Sequence, residues 1–149
     1  MGDPFSVAGS AVGVISLGLS VCQGLITYYG QYKSFHKDIH DATSHLDNLD
    51  CILKALMNTI KQSELQNASL TTEPARIAKD TIDKCNQKLK ELEEMLKKCK
   101  DTPIATNLTS KFSKSRALYP FRRDTLLALR ESVGWLQGNL ENSLSLLNL

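Results

Sequence analysis

Three stretches of the chain bring apolar residues back in steps of three and four: Ile39, Ala42, Leu46, Leu49, Leu53, Leu56 and Ile60; then Ala78, Ile82, Cys85, Leu89, Leu92, Leu96 and Cys99; then Leu126, Leu129, Val133, Leu136, Leu140, Leu144 and Leu147. Such spacing keeps one side of a 3.6-residue helix apolar, so each stretch predicts an amphipathic helix with a single buried seam. The charges of the second stretch, among them Lys88, Lys90, Glu93, Glu94 and Lys97, fall mainly off the seam and predict a wet outer face. No period-two alternation bounded by turn residues competes with this pattern.

The opening of the chain obeys a different rule. Residues 4–32 hold no charged side chain, and glycine recurs at Gly9, Gly13, Gly18, Gly24 and Gly30. As a helix the segment would be roughly 43 Å long at about 1.5 Å per residue, against a bilayer core of about 30 Å. Small residues fall on one stripe, Gly9, Gly13, Ser16, Ser20, Gly24 and Thr27; Val14, Leu17, Val21, Leu25 and Tyr28 form its neighbour, and Ile15, Leu19, Cys22, Ile26 and Tyr29 the next. A helix apolar over most of its circumference is either enclosed by protein or placed in lipid. Each glycine costs intrinsic helicity of about 1 kcal/mol relative to alanine, so packing must offset that loss. Small residues four apart also let two helix backbones approach closely, a device used for association in membranes. The expectation is burial in the resting bundle with exposure on activation, so that a charge at Gly13 would harm the bundle as well as the insertion. A secretory signal does not fit: Asp3 is acidic, no basic leader precedes the apolar run, and that run is too long and glycine-broken.

Punctuation between the periodic stretches sets the expected topology. Thr72 stands as N-cap before Glu73 and Pro74, a proline suited to a first turn. The polar residues 63–71 are few, which predicts that the helices flanking them are antiparallel neighbours. Asp101-Thr102-Pro103 breaks the next pattern, and residues 104–115 read as a loop or short helix. Pro120 is placed to open the last helix, with Asp124 in its first turn, and Trp135 flanks the last seam. The fold expected is all-α: one domain over residues 1–149, a bundle of four long helices plus one short helix.

Composition narrows the function more by exclusion than by assertion. At 149 residues, net charge +2 and 23% charged residues, the surface is ordinary and gives no global signal for nucleic acid. Cys22, Cys51, Cys85 and Cys99 form no CxxC pair and read as reduced thiols. No P-loop, GxSxG or dinucleotide fingerprint is present. His36 and His40 share a face, with His45, Asp38 and Asp41 nearby, but no completing ligand motif accompanies them. Asp47 with Asp50 and Glu93 with Glu94 read as solvated charges. No catalytic residue, metal ligand or cofactor is therefore assigned. Met1-Gly2 followed by Ser6 matches a short acylation pattern, with Asp3 and Pro4 ill suited to an acceptor peptide.

Charge is concentrated in one place. Between Lys97 and Arg123 lie eight basic residues, Lys97, Lys98, Lys100, Lys111, Lys114, Arg116, Arg122 and Arg123, against the single acid Asp101. Phe112, Tyr119 and Phe121 are interleaved with the later ones. Cations and aromatic rings together suit an anionic lipid interface, where each basic residue is worth about 1 kcal/mol.

Two anchors carry a family resemblance: Asp3-Pro4-Phe5-Ser6-Val7-Ala8-Gly9-Ser10, continuing through Gly13-Val14-Ile15-Ser16-Leu17-Gly18 to Cys22-Gln23-Gly24-Leu25 and Tyr28-Tyr29; and Tyr119-Pro120-Phe121-Arg122 with Thr125-Leu126, Leu136-Gln137 and Asn139-Leu140. On these the chain resembles the HeLo-like N-terminal domain of fungal STAND (NACHT or NB-ARC) receptors. The resemblance implies an all-α bundle at the N-terminus of a larger NLR-like receptor, acting in programmed cell death of the heterokaryon-incompatibility and innate-immunity type. It implies no catalytic residues, and a cytoplasmic protein that moves to the plasma membrane on activation, forms homo-oligomers and permeabilises the bilayer through its first helix.

The candidate residues follow. Phe5, Gly9, Gly13, Val14, Ser16, Leu17, Ser20, Val21, Gly24 and Leu25 are expected to insert and associate; Lys111, Lys114, Arg116, Arg122 and Arg123 are expected to meet lipid headgroups. The rival reading is a non-lytic interaction domain in which the first helix stays buried and helix faces bind a partner.

Overall fold

The computed structural model describes residues 4–65, 72–103 and 118–148, with side chains placed over 11–62, 72–103 and 118–148. Four long helices form there: α1 (Pro4–Gly30), α2 (Lys37–Leu65), α3 (Glu73–Asp101) and α4 (Arg123–Leu147), the last preceded by a short 3₁₀ turn, Tyr119–Phe121. The all-α bundle expected from the periodicity is what folds. The segment 104–115, read as a loop or short helix, lies outside the described residues.

Each seam is buried where its spacing places it. Ile39, Leu46, Leu53, Leu56, Ile82, Leu89, Leu129, Leu136 and their companions make one continuous core, while Leu144 and Leu147 at the end of α4 are only partly covered. Thr72 caps α3 as its sequence predicts, its hydroxyl accepting from the Ala75 amide at 3.4 Å. Pro120 departs from expectation: it opens the 3₁₀ turn, and α4 starts three residues later at Arg123. The proline-fixed backbone turns Phe121 inward, where the ring is fully buried against Tyr29 and Tyr32.

The helices alternate in direction. Cys22 meets Leu46 across α1 and α2, and Gly18 meets both Leu53 and Leu89. Ser143 of α4 donates to the Ala78 carbonyl of α3, while Lys88 stands over Trp135. These pairs make α1 antiparallel to α2 and parallel to α3, and α3 antiparallel to α4. Around the bundle the order is α1, α2, α4, α3. Here the structure corrects an expectation: α2 and α3 are antiparallel but lie across the diagonal, not side by side. Seven residues, 66–72, can reach about 23 Å, more than the diagonal of helices packed 8–10 Å apart, so a short connection does not force adjacency.

α1 accordingly sits at a corner of the bundle with two close neighbours. Ala11, Val14, Ile15, Gly18, Val21, Cys22, Leu25 and Tyr29 face inward. The expectation of an enclosed first helix fails on its other side. Gly13, Ser16, Ser20, Gln23 and Thr27 are exposed, so most of the small-residue stripe is the solvent face of α1. Two neighbours cover roughly half a cylinder, and the small polar residues take the uncovered half.

Candidate functional site

Two features stand out once the helices are placed: the setting of α1, and the charge at one end of the bundle. The 20 residues Ala11–Gly30 are long and apolar enough to cross a membrane, at mean hydropathy 1.6, with 39% of that window buried. A core helix of a soluble protein meets the same test. What distinguishes α1 is an outer face that is solvent-exposed yet carries no charge.

The candidates for insertion divide between its two faces. Val14, Val21 and Leu25 point into the core, Leu17 and Gly24 are half-covered, and Gly13, Ser16 and Ser20 face outward. The side chains of Phe5 and Gly9 lie outside the described residues. Gly18 and Gly24, not the outward-facing Gly13, Ser16 and Ser20, are where neighbouring helices come close. A β-carbon on Gly18 would meet Leu53 Cδ2 at 3.0 Å, and one on Gly24 would meet Leu96 Cδ2 at 2.6 Å; at Gly13 nothing among the described residues lies within 4 Å. A side chain at Gly13 is therefore compatible with the resting bundle, which reverses the expectation that a charge there would damage the fold.

Polar groups fasten α1 to the core at two points. Midway, the Cys22 thiol donates to the Leu46 carbonyl at 3.0 Å, and the Gln23 amide reaches Asp50 Oδ1 at 3.5 Å, a carboxylate also paired with Lys54 at 2.8 Å. At the far end the Tyr29 hydroxyl donates to the Pro120 carbonyl at 2.9 Å and contacts Cys99 Sγ at 3.4 Å. One hydroxyl thus joins α1, α3 and the turn that leads into α4. Burial and the nearby Cys99 push the Tyr29 hydroxyl well above the usual tyrosine range, and it stays neutral. This role was missed from sequence; a tyrosine on an apolar stripe of α1, together with a Tyr-Pro-Phe turn elsewhere in the chain, is the signal that could have suggested it.

The same end of the bundle gathers basic residues far apart in sequence. Arg122 and Arg123 are exposed there. Lys33, from the turn between α1 and α2, Lys37, at the start of α2, and Lys97, Lys98 and Lys100, from the end of α3, join them. Their proximity is fixed by contacts across this end: Tyr32 against Phe121 at 5.0 Å, Lys98 over the Tyr119 ring at 5.8 Å, and a shared recess lined by His36 and Arg123. Lys33 and Lys37 were missed from sequence. Lys111, Lys114 and Arg116 lie outside the described residues.

Nothing among the described residues assembles a reaction centre. No three His, Cys, Asp or Glu side chains converge as metal ligands there. His36 Nδ1 accepts from the Asp38 amide at 3.0 Å, and His40 lies beside Asp41, so these histidines serve the start of α2. Burial, with smaller contributions from Asp50 and Asp47, pushes the Cys22 thiol up to about 12; burial pushes Cys85 up to about 11, and neither is a ready nucleophile. A groove of about 630 Å³ between α2 and α4 is lined by Gly134, Gly138, His45, Arg130, Glu131 and Glu141 among others, an open mixed-charge surface without a nucleophile and base in register.

The model of the pigment biosynthesis cluster protein PigL N-terminal family matches residues 2–113. The azaphilone pigments biosynthesis cluster protein L of Monascus ruber is 30% identical over 141 residues, 91% of this chain. The chain spans 28% of the length of that relative. No solved structure matches it.

Proposed function

The chain belongs to the PigL N-terminal domain family, and we propose that it is a HeLo-like, membrane-targeting cell-death effector domain that oligomerises and permeabilises membranes through α1. The observation that carries this reading is a helix of bilayer-spanning length at a corner of the bundle, one face packed on α2 and α3 and the other uncharged. Such a helix can leave for lipid without taking a charged residue into the hydrocarbon. A single helix cannot line an aqueous path, so several copies must associate, and the exposed small stripe of Gly13, Ser16 and Ser20 permits close approach of α1 helices. Gathering copies at a surface makes that association effectively intramolecular and offsets the packing lost when α1 leaves. In this reading the domain stands at the N-terminus of a receptor whose downstream parts sense the signal, and moves from the cytoplasm to the plasma membrane.

A second reading has its own support: the close fit of Gly24 to Leu96 and the Tyr29 junction hold α1 in place, as a non-lytic interaction domain would require. The relative's name, a pigment biosynthesis cluster protein, favours neither. Amide exchange separates the two. In soluble monomer, exchange across residues 11–28 is slow; after fusion to an inducible oligomeriser and addition of vesicles, the pattern changes, and lipid-soluble label reaches Val14 and Leu17. Equal protection in both states and no labelling would leave the interaction domain as the function.

A further inference from the structure

The charged end and the start of α1 are at opposite ends of the bundle. α1 runs 27 residues, about 40 Å, and its C-terminus is the end where Tyr29 meets Phe121, beside the Tyr119 ring under Lys98 and the recess shared by His36 and Arg123. We propose that this end, built from Lys33, Lys37, Lys97, Lys98, Lys100, Arg122 and Arg123, docks the resting bundle end-on to an anionic lipid surface, with the N-terminus of α1 held about 40 Å away from it.

The charge there is matched to such a surface. The four acids of the same end are placed to serve helix termini or lie beside bases: Asp38 near His36, Asp41 near His40, Asp124 accepting from the Thr125 amide, and Asp101 at the end of α3 next to Lys100. Seven exposed cations face these four acids, an excess of three positive charges. Between the cations sit partly covered rings, Tyr32, Phe35 and Tyr119, which suit the boundary between headgroups and acyl chains. A flat anionic surface engages all of these at once, because they come from all four helix ends of one face.

End-on docking has a regulatory consequence. It rests on the membrane reading of α1, and it makes arrival and insertion separate steps. The docked monomer presents the Tyr29 junction to the surface and keeps residues 4–10 on the far side. Insertion then requires α1 to detach and reverse, a step that clustering supplies and docking alone does not.

The test uses unclustered protein and vesicles of neutral phosphatidylcholine with or without phosphatidylserine. Neutralising Lys33, Lys37 and Lys100 together (K33Q, K37Q, K100Q) lowers affinity for anionic vesicles at least tenfold, each basic residue being worth about fivefold. The same charge change at the opposite half (K61Q, R76Q, K84Q) lowers it less than threefold. Trp135, the only tryptophan, lies about 18 Å along α4 from Arg123 and is not quenched by brominated lipid, whereas F35W in a W135F background is quenched and shifts to shorter wavelength. Equal binding by the two triple variants, or stronger quenching at Trp135 than at position 35, overturns the docking proposal. If clustered protein still causes leakage in that case, the function reading survives without it. No binding to either vesicle, with no leakage on clustering, overturns both.

Discussion

A β-carbon on Gly24 would lie 2.6 Å from Leu96 Cδ2, so any larger residue at this point of α1 requires the tip of Leu96 on α3 to move. Gly24→Val should cost about 1–3 kcal/mol as Leu96 is pushed out of its place. Gly13→Ala on the open face should instead gain about 0.5–1 kcal/mol, the helix propensity of alanine over glycine. Urea unfolding of the two variants reads both signs. A Gly24→Val bundle as stable as the parent would mean that Leu96 gives way freely and that the contact holds nothing.

Tyr29→Phe removes the hydroxyl that joins α1 to Pro120 and Cys99 while keeping the ring against Phe121. Loss of a buried hydrogen bond predicts about 1–3 kcal/mol of destabilisation. On clustered protein the same change should hasten leakage, since α1 is then held by one fewer tie. Slower leakage with unchanged stability would place Tyr29 elsewhere in the mechanism.

Stability should fall in alkali from about pH 9. The folded bundle holds Cys22 protonated up to about 12 and Cys85 up to about 11, and raises Tyr29 as well, chiefly by burial. The unfolded chain loses these protons first, near 9 for the thiols. Above that pH the unfolded state binds fewer protons, so the stabilisation present below pH 9 is lost as pH rises, by up to about 1.4 kcal/mol per pH unit for each group. Urea midpoints at pH 7, 9 and 10.5 check this, and Cys22→Ala should flatten the slope whatever its constant cost. An unchanged slope would show that Cys22 ionises as easily folded as unfolded.

Cysteine accessibility gives a quick check of the packing. Cys51 is exposed and Cys22, Cys85 and Cys99 are buried, all four free. A thiol reagent at pH 8 should modify one site promptly in native protein and four in denaturant. Prompt reaction at two or more native sites would mean that α1 or α3 opens readily.

The seams of α2, α3 and α4 were legible because each amphipathic helix has one apolar side to hide. The rotation of α1 was not: its stripes through Leu17 and Leu19 are almost equally apolar, and the orientation is decided by Leu53, Leu89 and Leu96 finding Gly18 and Gly24. The diagonal placement of α2 and α3 was hidden because the length of 66–72 permits either arrangement. Arg122 and Arg123 could be flagged from their charge run, but Lys33 and Lys37 lie about sixty residues before Lys97, and only the fold brings them to one face.

The central claim is that α1 enters the bilayer, and Gly13→Glu tests it most directly. With nothing among the described residues within 4 Å of a β-carbon at Gly13, the variant should fold and be at least as stable as the parent. In lipid the same carboxylate costs up to about 2.5–3.5 kcal/mol, the value reached at mid-bilayer, and the cost is repeated in every copy of an oligomer. Dye release from anionic vesicles by clustered protein should therefore fall at least tenfold for Gly13→Glu. Release equal to that of the parent, from a variant equally folded and equally clustered, would contradict insertion of α1.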